Sequence, residues 1–237
     1  MINMKSIEDR LLSHFSRDQN VVGIMVFGSV VNGKADQFSD VDVYVLTRTS
    51  TAVTRKGFFV GEILIDVIID SVETATAFLQ QDRNALRRPT SHILANGKII
   101  FERTPQLRVL QRLAKQNLNG KTRTSKSDYL MHAYSLHDFL GELERSAKND
   151  DRLLFACNLQ LFINNAIECV LRKHGDYFRR FDETIEVLSH RDAGFVRSVR
   201  AVYQTHEVSQ QMQLVKKIYQ HLKKRYQCSL PKTWTIK

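Results

Sequence analysis

The stretch Phe27-Gly28-Ser29-Val30-Val31-Asn32-Gly33-Lys34-Ala35-Asp36-Gln37-Phe38-Ser39-Asp40-Val41-Asp42 decides how this chain is read. It is entered from an unbroken apolar run, residues 21–27, the pattern of a strand buried on both faces. Gly28 and Ser29 then turn the chain, and the reading expects a short helix to follow. Glycine lets backbone come close to a ligand, and Ser29 is a helix-capping residue. A helix start with free N–H groups is a natural phosphate site. Asp40 and Asp42 stand two apart at the head of a second strand, residues 41–46, so period two puts both carboxylates opposite Val41 and Val43. Like charges this close are costly unless a cation lies between them. A divalent metal bridging carboxylates and phosphate oxygens meets that cost.

A third carboxylate fits the same picture. Asp66 interrupts the otherwise apolar residues 63–69. A carboxylate inside such a strand needs a partner, and pairing beside Asp42 would give it a shared metal. The plainer reading is a surface-facing aspartate on an edge strand. Working outward, the first half alternates helix and strand signals. Helices are expected over 7–15, 73–81 and a segment ending at 118, with strands at 58–60, 62–70 and 98–102. That is a mixed α/β (α+β) domain with a small sheet. The polar, basic segment Asn119-Gly120-Lys121-Thr122-Arg123-Thr124-Ser125-Lys126-Ser127 reads as a linker. Beyond it every signal is helical: a helix from Ser125 or Ser127 to about 148, a nearly all-round apolar helix over 151–173, and further helices starting near 181, 192 and 207. The expected domains are therefore 1–118 and 119–237, the second all-α.

Composition narrows the class. The chain has 237 residues, 43% hydrophobic and 25% charged, close to an ordinary globular protein. The length supports a sizeable core without disulfide or metal staples. No basic start followed by an apolar core and a cleavage site is visible, so the expected location is cytoplasmic, with no membrane partner. Three cysteines without a C-x-x-C pair exclude a zinc site or disulfide framework, and are expected as buried thiols. The net charge of +10 is uneven: the first 118 residues carry a surplus of three positive charges, the remainder seven. From Val208 onward there are seven basic residues and no acidic one. Such a run can steer a nucleic acid, a membrane surface or an anionic substrate, and is more often simply a solvated face.

Gly28-Ser29, ten residues, then Asp40-Val41-Asp42 resembles the signature of the polymerase-β-type nucleotidyltransferase superfamily. Gly33 and Ser39 match its longer form, and Asp66 matches its third carboxylate. The resemblance implies a nucleoside triphosphate, ATP foremost, and two Mg²⁺ ions. Asp40, Asp42 and Asp66 would be metal ligands and catalytic residues; Gly28 and Ser29, with Gly33 and Ser39, would hold the nucleotide. It further implies attack of an acceptor hydroxyl on the α-phosphorus with release of pyrophosphate. The layout, catalytic domain then helical domain, resembles the bacterial aminoglycoside and lincosamide nucleotidyltransferases, implying a small-molecule acceptor.

Three features bear on that acceptor. Gln160, Asn164, Glu168 and Arg172 recur every four residues on the apolar helix, with Asn165 beside them. The stripe reads as a cleft wall with Glu168 as general base, or as an ordinary solvated face. Asp66 is the other candidate base. Arg83, Arg87 and Arg88 could contact triphosphate or simply face water. The basic helical half argues against a polycationic acceptor. Two other readings remain. Arg200 and His206 match the loose R-x(4–6)-H pattern of helical toxins whose partners are protein adenylyltransferases. A non-catalytic nucleotide or nucleic-acid binder is the third, although such a module has no need of three metal-ligating carboxylates.

Overall fold

The apolar run that opens the motif becomes the middle of a sheet. In a computed structural model describing residues 4–235, five strands form: β1 (Val21–Phe27), β2 (Val41–Thr47), β3 (Arg55–Val60), β4 (Ile63–Ser71) and β5 (Lys98–Glu102). Their order across the sheet is β3-β4-β2-β1-β5. All neighbouring pairs are antiparallel except β2 and β4, which run parallel with Asp42 directly beside Asp66. β3 and β4 form a hairpin whose two-residue turn places Gly61 at φ 63°, a conformation glycine adopts without strain.

Alternation along the strands builds two apolar layers. On one face Ile24, Val26, Val41, Val43, Val45, Ile65, Val67 and Ile69 pack against Ile7, Leu11 and Phe15 of α1 (Met4–Phe15). On the other, Val22, Met25, Tyr44 and Leu46 are covered by α2 (Val72–Asp82), α3 (Pro89–Asn96) and α4 (Gln106–Asn119). α3 was not expected from the sequence. It carries proline at its first turn and Gly97 just past its end, the usual punctuation of a helix.

The chain divides between Gly120 and Lys121 into two compact units. Among its described residues the second is built of five helices joined by loops: α5 (Lys126–Lys148), α6 (Arg152–His174), α7 (Phe181–Arg191), α8 (Ala193–Gln204) and α9 (Val208–Tyr226). Ser125 caps α5 in a reciprocal capping box with Asp128. Gly175, at φ 71°, ends α6. α6 is long and apolar enough to cross a bilayer by length and composition; within this unit Phe155, Leu159, Phe162, Ile163, Ala166, Ile167 and Val170 are buried. Trp234 packs its ring on Tyr134 of α5 at 5.4 Å. The cysteines depart in part from expectation. Cys169 and Cys228 are buried, but Cys157 is exposed because it faces away from the bundle's interior on α6.

Candidate active site

Strand register assembles the acidic cluster. Asp42, the second residue of β2, shares a face with Tyr44 and Leu46, and the parallel pairing sets Asp66 of β4 alongside it. Asp40 lies immediately before β2. One ligand oxygen from each of the three carboxylates lies within 4.8 Å of the others, and all three residues are half-buried. Burial pushes the Asp42 carboxyl up to about 6, helped by repulsion from Asp40 and Asp66 and opposed by Arg55. Three converging carboxylates of this kind suit a divalent cation bound through oxygen. The group therefore fits the metal that the sequence resemblance implies.

Arg55 is the participant that sequence reading missed. From β3 its Nε donates to Asp66 Oδ1 at 3.0 Å and a terminal nitrogen donates to Oδ2 at 2.5 Å. This two-pronged pair holds the Asp66 carboxyl below the usual carboxylate range, against the effect of burial. Asp66 is therefore neither on an edge strand nor unpartnered. The edge is β3, and the edge supplies the arginine.

Gly28 is fixed by space as well as conformation. Its φ is 79°, and a Cβ at this position would lie 2.2 Å from Asp42 Oδ2. Only a residue without a side chain lets the backbone sit against that carboxylate. The expected short helix after Ser29 does not form. Residues 28–33 make a turn closed by Asn32 N–H to Gly28 O at 3.4 Å and Lys34 N–H to Ser29 O at 3.0 Å. Gly33, at φ 67°, then diverts the chain out of helical geometry. Ser29 is thus a half-buried turn residue beside the acids and not a helix cap. Ser39 is engaged in its own loop: its hydroxyl donates to Asp36 Oδ1 at 3.0 Å and accepts from Asp36 N–H at 3.0 Å. These bonds close a tight loop immediately before Asp40.

The remaining candidates lie elsewhere. Arg88 is 1% exposed and serves the fold. Its guanidinium donates to Ala85 O at 2.9 Å in the α2–α3 connection, and to Gly120 O at 2.8 Å and Asn117 O at the end of α4. That is a correction to its reading as a triphosphate contact. Arg83 and Arg87 are exposed. Glu168 is half-buried on α6 of the helical unit, and most of its stripe is engaged there. Gln160 donates to Asn164 at 2.8 Å and accepts from Tyr203 at 3.0 Å, Asn165 meets His132 at 2.7 Å, and Arg172 reaches Asp128 at 3.8 Å. Arg200 and His206 are both exposed, with Arg200 on α8 and His206 beyond its end.

A parallel strand pair presenting three acids beside a glycine turn defines a class of phosphoryl-handling domain. Residues 9–106 match the family model described as "Polymerase beta, Nucleotidyltransferase". The domain they build is a nucleotidyltransferase domain of that superfamily, followed by a helical region. A nucleotidyltransferase-like protein from Exiguobacterium sibiricum 255-15 has a similar fold, with a TM-score of 0.52 at 15% identity, over 93% of this chain and 74% of that one. No curated protein matches the chain.

Proposed function

We propose that the chain transfers a nucleoside monophosphate, AMP in the first instance, from the triphosphate to a hydroxyl of a small molecule, releasing pyrophosphate. The observation that carries this reading is the cross-strand meeting of Asp42 and Asp66, with Asp40 within reach and Gly28 pressed against Asp42. Asp40, Asp42 and Asp66 would hold two Mg²⁺ ions, which when bound offset negative charge on the phosphates. The other tasks fall to the chain. The backbone at Gly28 and the Ser29 hydroxyl offer donors to the β- and γ-phosphates. Asp42 acts in its ionised form, so the site works above the pH at which it titrates.

In the transfer, the acceptor oxygen forms a bond to the α-phosphorus, the bond from that phosphorus to the bridging oxygen breaks, and the electron pair leaves with pyrophosphate. The acceptor proton passes to a carboxylate. Asp66 is the candidate within this unit, and its pairing with Arg55 lowers its basicity. An ATP-dependent reaction of this kind suits a cytoplasmic enzyme. An antibiotic is one such acceptor, and the basic helical unit favours one that is not a polycation.

The test follows label from α-phosphate-labelled ATP with Mg²⁺ into aminoglycosides, lincosamides and cell protein, with Asp42→Asn as control. Label on a small molecule, absent with Asp42→Asn, is the expected result. Label on protein alone would replace this reading with protein adenylylation, and ATP binding without transfer would replace it with nucleotide sensing.

A further inference from the structure

The sheet face that carries the triad is only partly roofed. α2, α3 and α4 cover it over Met25, Tyr44 and Leu46. Beyond them the same face continues across β4 and β3, and there large apolar groups stand in the open. The register pairs Phe59 with Leu64 and, one step along the same face, Gly57 with Asp66. Phe59 is 69% exposed and Leu64 37% exposed. One step along a strand face is two residues, roughly 7 Å, so this apolar pair begins one small ring's width from the acids.

Gly57 sharpens the point. Its φ is not positive, and a Cβ there would meet Leu64 Cδ1 at 3.4 Å, an ordinary contact. Neither backbone conformation nor crowding demands glycine in this strand, where it weakens pairing and leaves a gap for something to approach. What it leaves open is the floor between the Phe59–Leu64 pair and Asp66.

Position then selects the occupant. The proposed phosphate donors, Gly28 and Ser29, lie at the β1 side of Asp42, whereas the open floor lies on the far side of Asp66. Attacking and leaving oxygens stand roughly in line at a transferring phosphorus. With pyrophosphate leaving toward Gly28, the acceptor enters from the Asp66 side. On that edge Arg55, whose side chain is 69% exposed, offsets the charge of Asp66 and leaves the floor with less negative charge to draw in a polycation.

We propose that Phe59, Leu64 and the bare backbone at Gly57 form the acceptor subsite, taking the apolar, ring-sized body of a hydroxyl compound of low charge. This rests on the transferase reading above and names its substrate class.

The experiment pairs two readouts. Label transfer from ATP is measured against a panel of apolar-bodied hydroxyl compounds, with lincomycin and clindamycin as probes, and against kanamycin as polycation, for the unaltered chain, Phe59→Ala, Leu64→Ser and Gly57→Val. The same probes are titrated against methyl-labelled protein, without nucleotide, following the Leu64 methyl resonances by NMR. The expected result is transfer to an apolar-bodied probe, with its KM raised about tenfold or more in the variants, KM for ATP unmoved, and saturable shifts at Leu64. Transfer to kanamycin alone overturns the proposal. So does a rise in KM for ATP alone, which would assign the pair to the nucleobase, or a fall in melting temperature without any change in KM, which would assign it to packing. If no compound is labelled even by the unaltered chain, the transferase reading fails. The NMR titration then still decides the subsite: shifts at Leu64 keep it, and their absence with every probe removes it.

Discussion

Two aspartates, one in each unit, show the same side chain put to opposite uses. Asp192, between α7 and α8, is 6% exposed and fully engaged. It accepts from Phe195 N–H at 2.9 Å, His221 at 2.6 Å and Tyr226 at 2.7 Å, with Arg225 at 3.3 Å. Burial works to raise its pKa, and these partners outweigh it and hold the group down at about 2. Asp42 is half-buried, faces two other carboxylates and is pushed up to about 6. One carboxylate is stabilised by the folded state and fastens three helices. The other is destabilised by it, and is relieved when a cation arrives. Between these two aspartates, the satisfied charge serves structure and the unsatisfied one lies in the site.

The comparison breaks most readily at Asp42. Asp42→Asn should lower transfer by about a thousandfold or more, the scale of losing a group that stabilises transition-state charge, while leaving the melting temperature equal or higher. A variant that loses stability and keeps activity would assign Asp42 to the fold instead. Next in size, Asp192→Ala should cost the helical unit about 3 kcal/mol, since it strands buried partners. Denaturant unfolding measures this, and nucleotide binding to the first unit should survive it. Gly28→Ala puts a methyl group where only 2.2 Å separates it from Asp42 Oδ2. It should cost about 1–3 kcal/mol in strain and weaken Mg²⁺–ATP binding, read by calorimetry.

The smallest effect is also the most discriminating. Asp42 has a folded pKa above its unfolded value, so its contribution favours folding below about pH 4 and is lost as pH rises through about 6. Solvent screening limits it to on the order of 1 kcal/mol. Asp192 has a depressed folded pKa, so its contribution is present above about pH 4 and is lost as pH falls toward 2. Acid should therefore first stabilise the sheet unit, as Asp42 takes up its proton, and only at lower pH destabilise the helical one, as Asp192 does. Asp42→Asn should erase the first response only. Mn²⁺ binding, followed by its paramagnetic signal, should weaken below about pH 6.

What could be read from the sequence follows from how local each signal is. β1, β2 and β5 lie in apolar or alternating runs that need no tertiary information, and Asp40 and Asp42 sit two apart on the chain. The meeting of Asp66 with Asp42 required guessing a strand pairing between residues 24 positions apart, which the shared need of both carboxylates for a cation suggested. Arg55 gave no such signal, because its partnership depends on the β3–β4 hairpin register. Arg88 misled because arginine is rarely buried, and here helix-end carbonyls receive it. α3, at eight residues, is too short for its periodicity to stand out. The helix expected after Ser29 is stopped by Gly33, whose left-handed backbone only the folded chain reveals.

The lone parallel pairing in the sheet has a last consequence. Slipping β4 by one residue against β2 would turn Asp66 into the layer beneath α1 and move Ile65, Val67 and Ile69 out of that layer onto the opposite face. The misregistered sheet would lose its apolar layer and its metal ligand in a single error. The register that completes the apolar layer is therefore the same one that sets Asp66 beside Asp42.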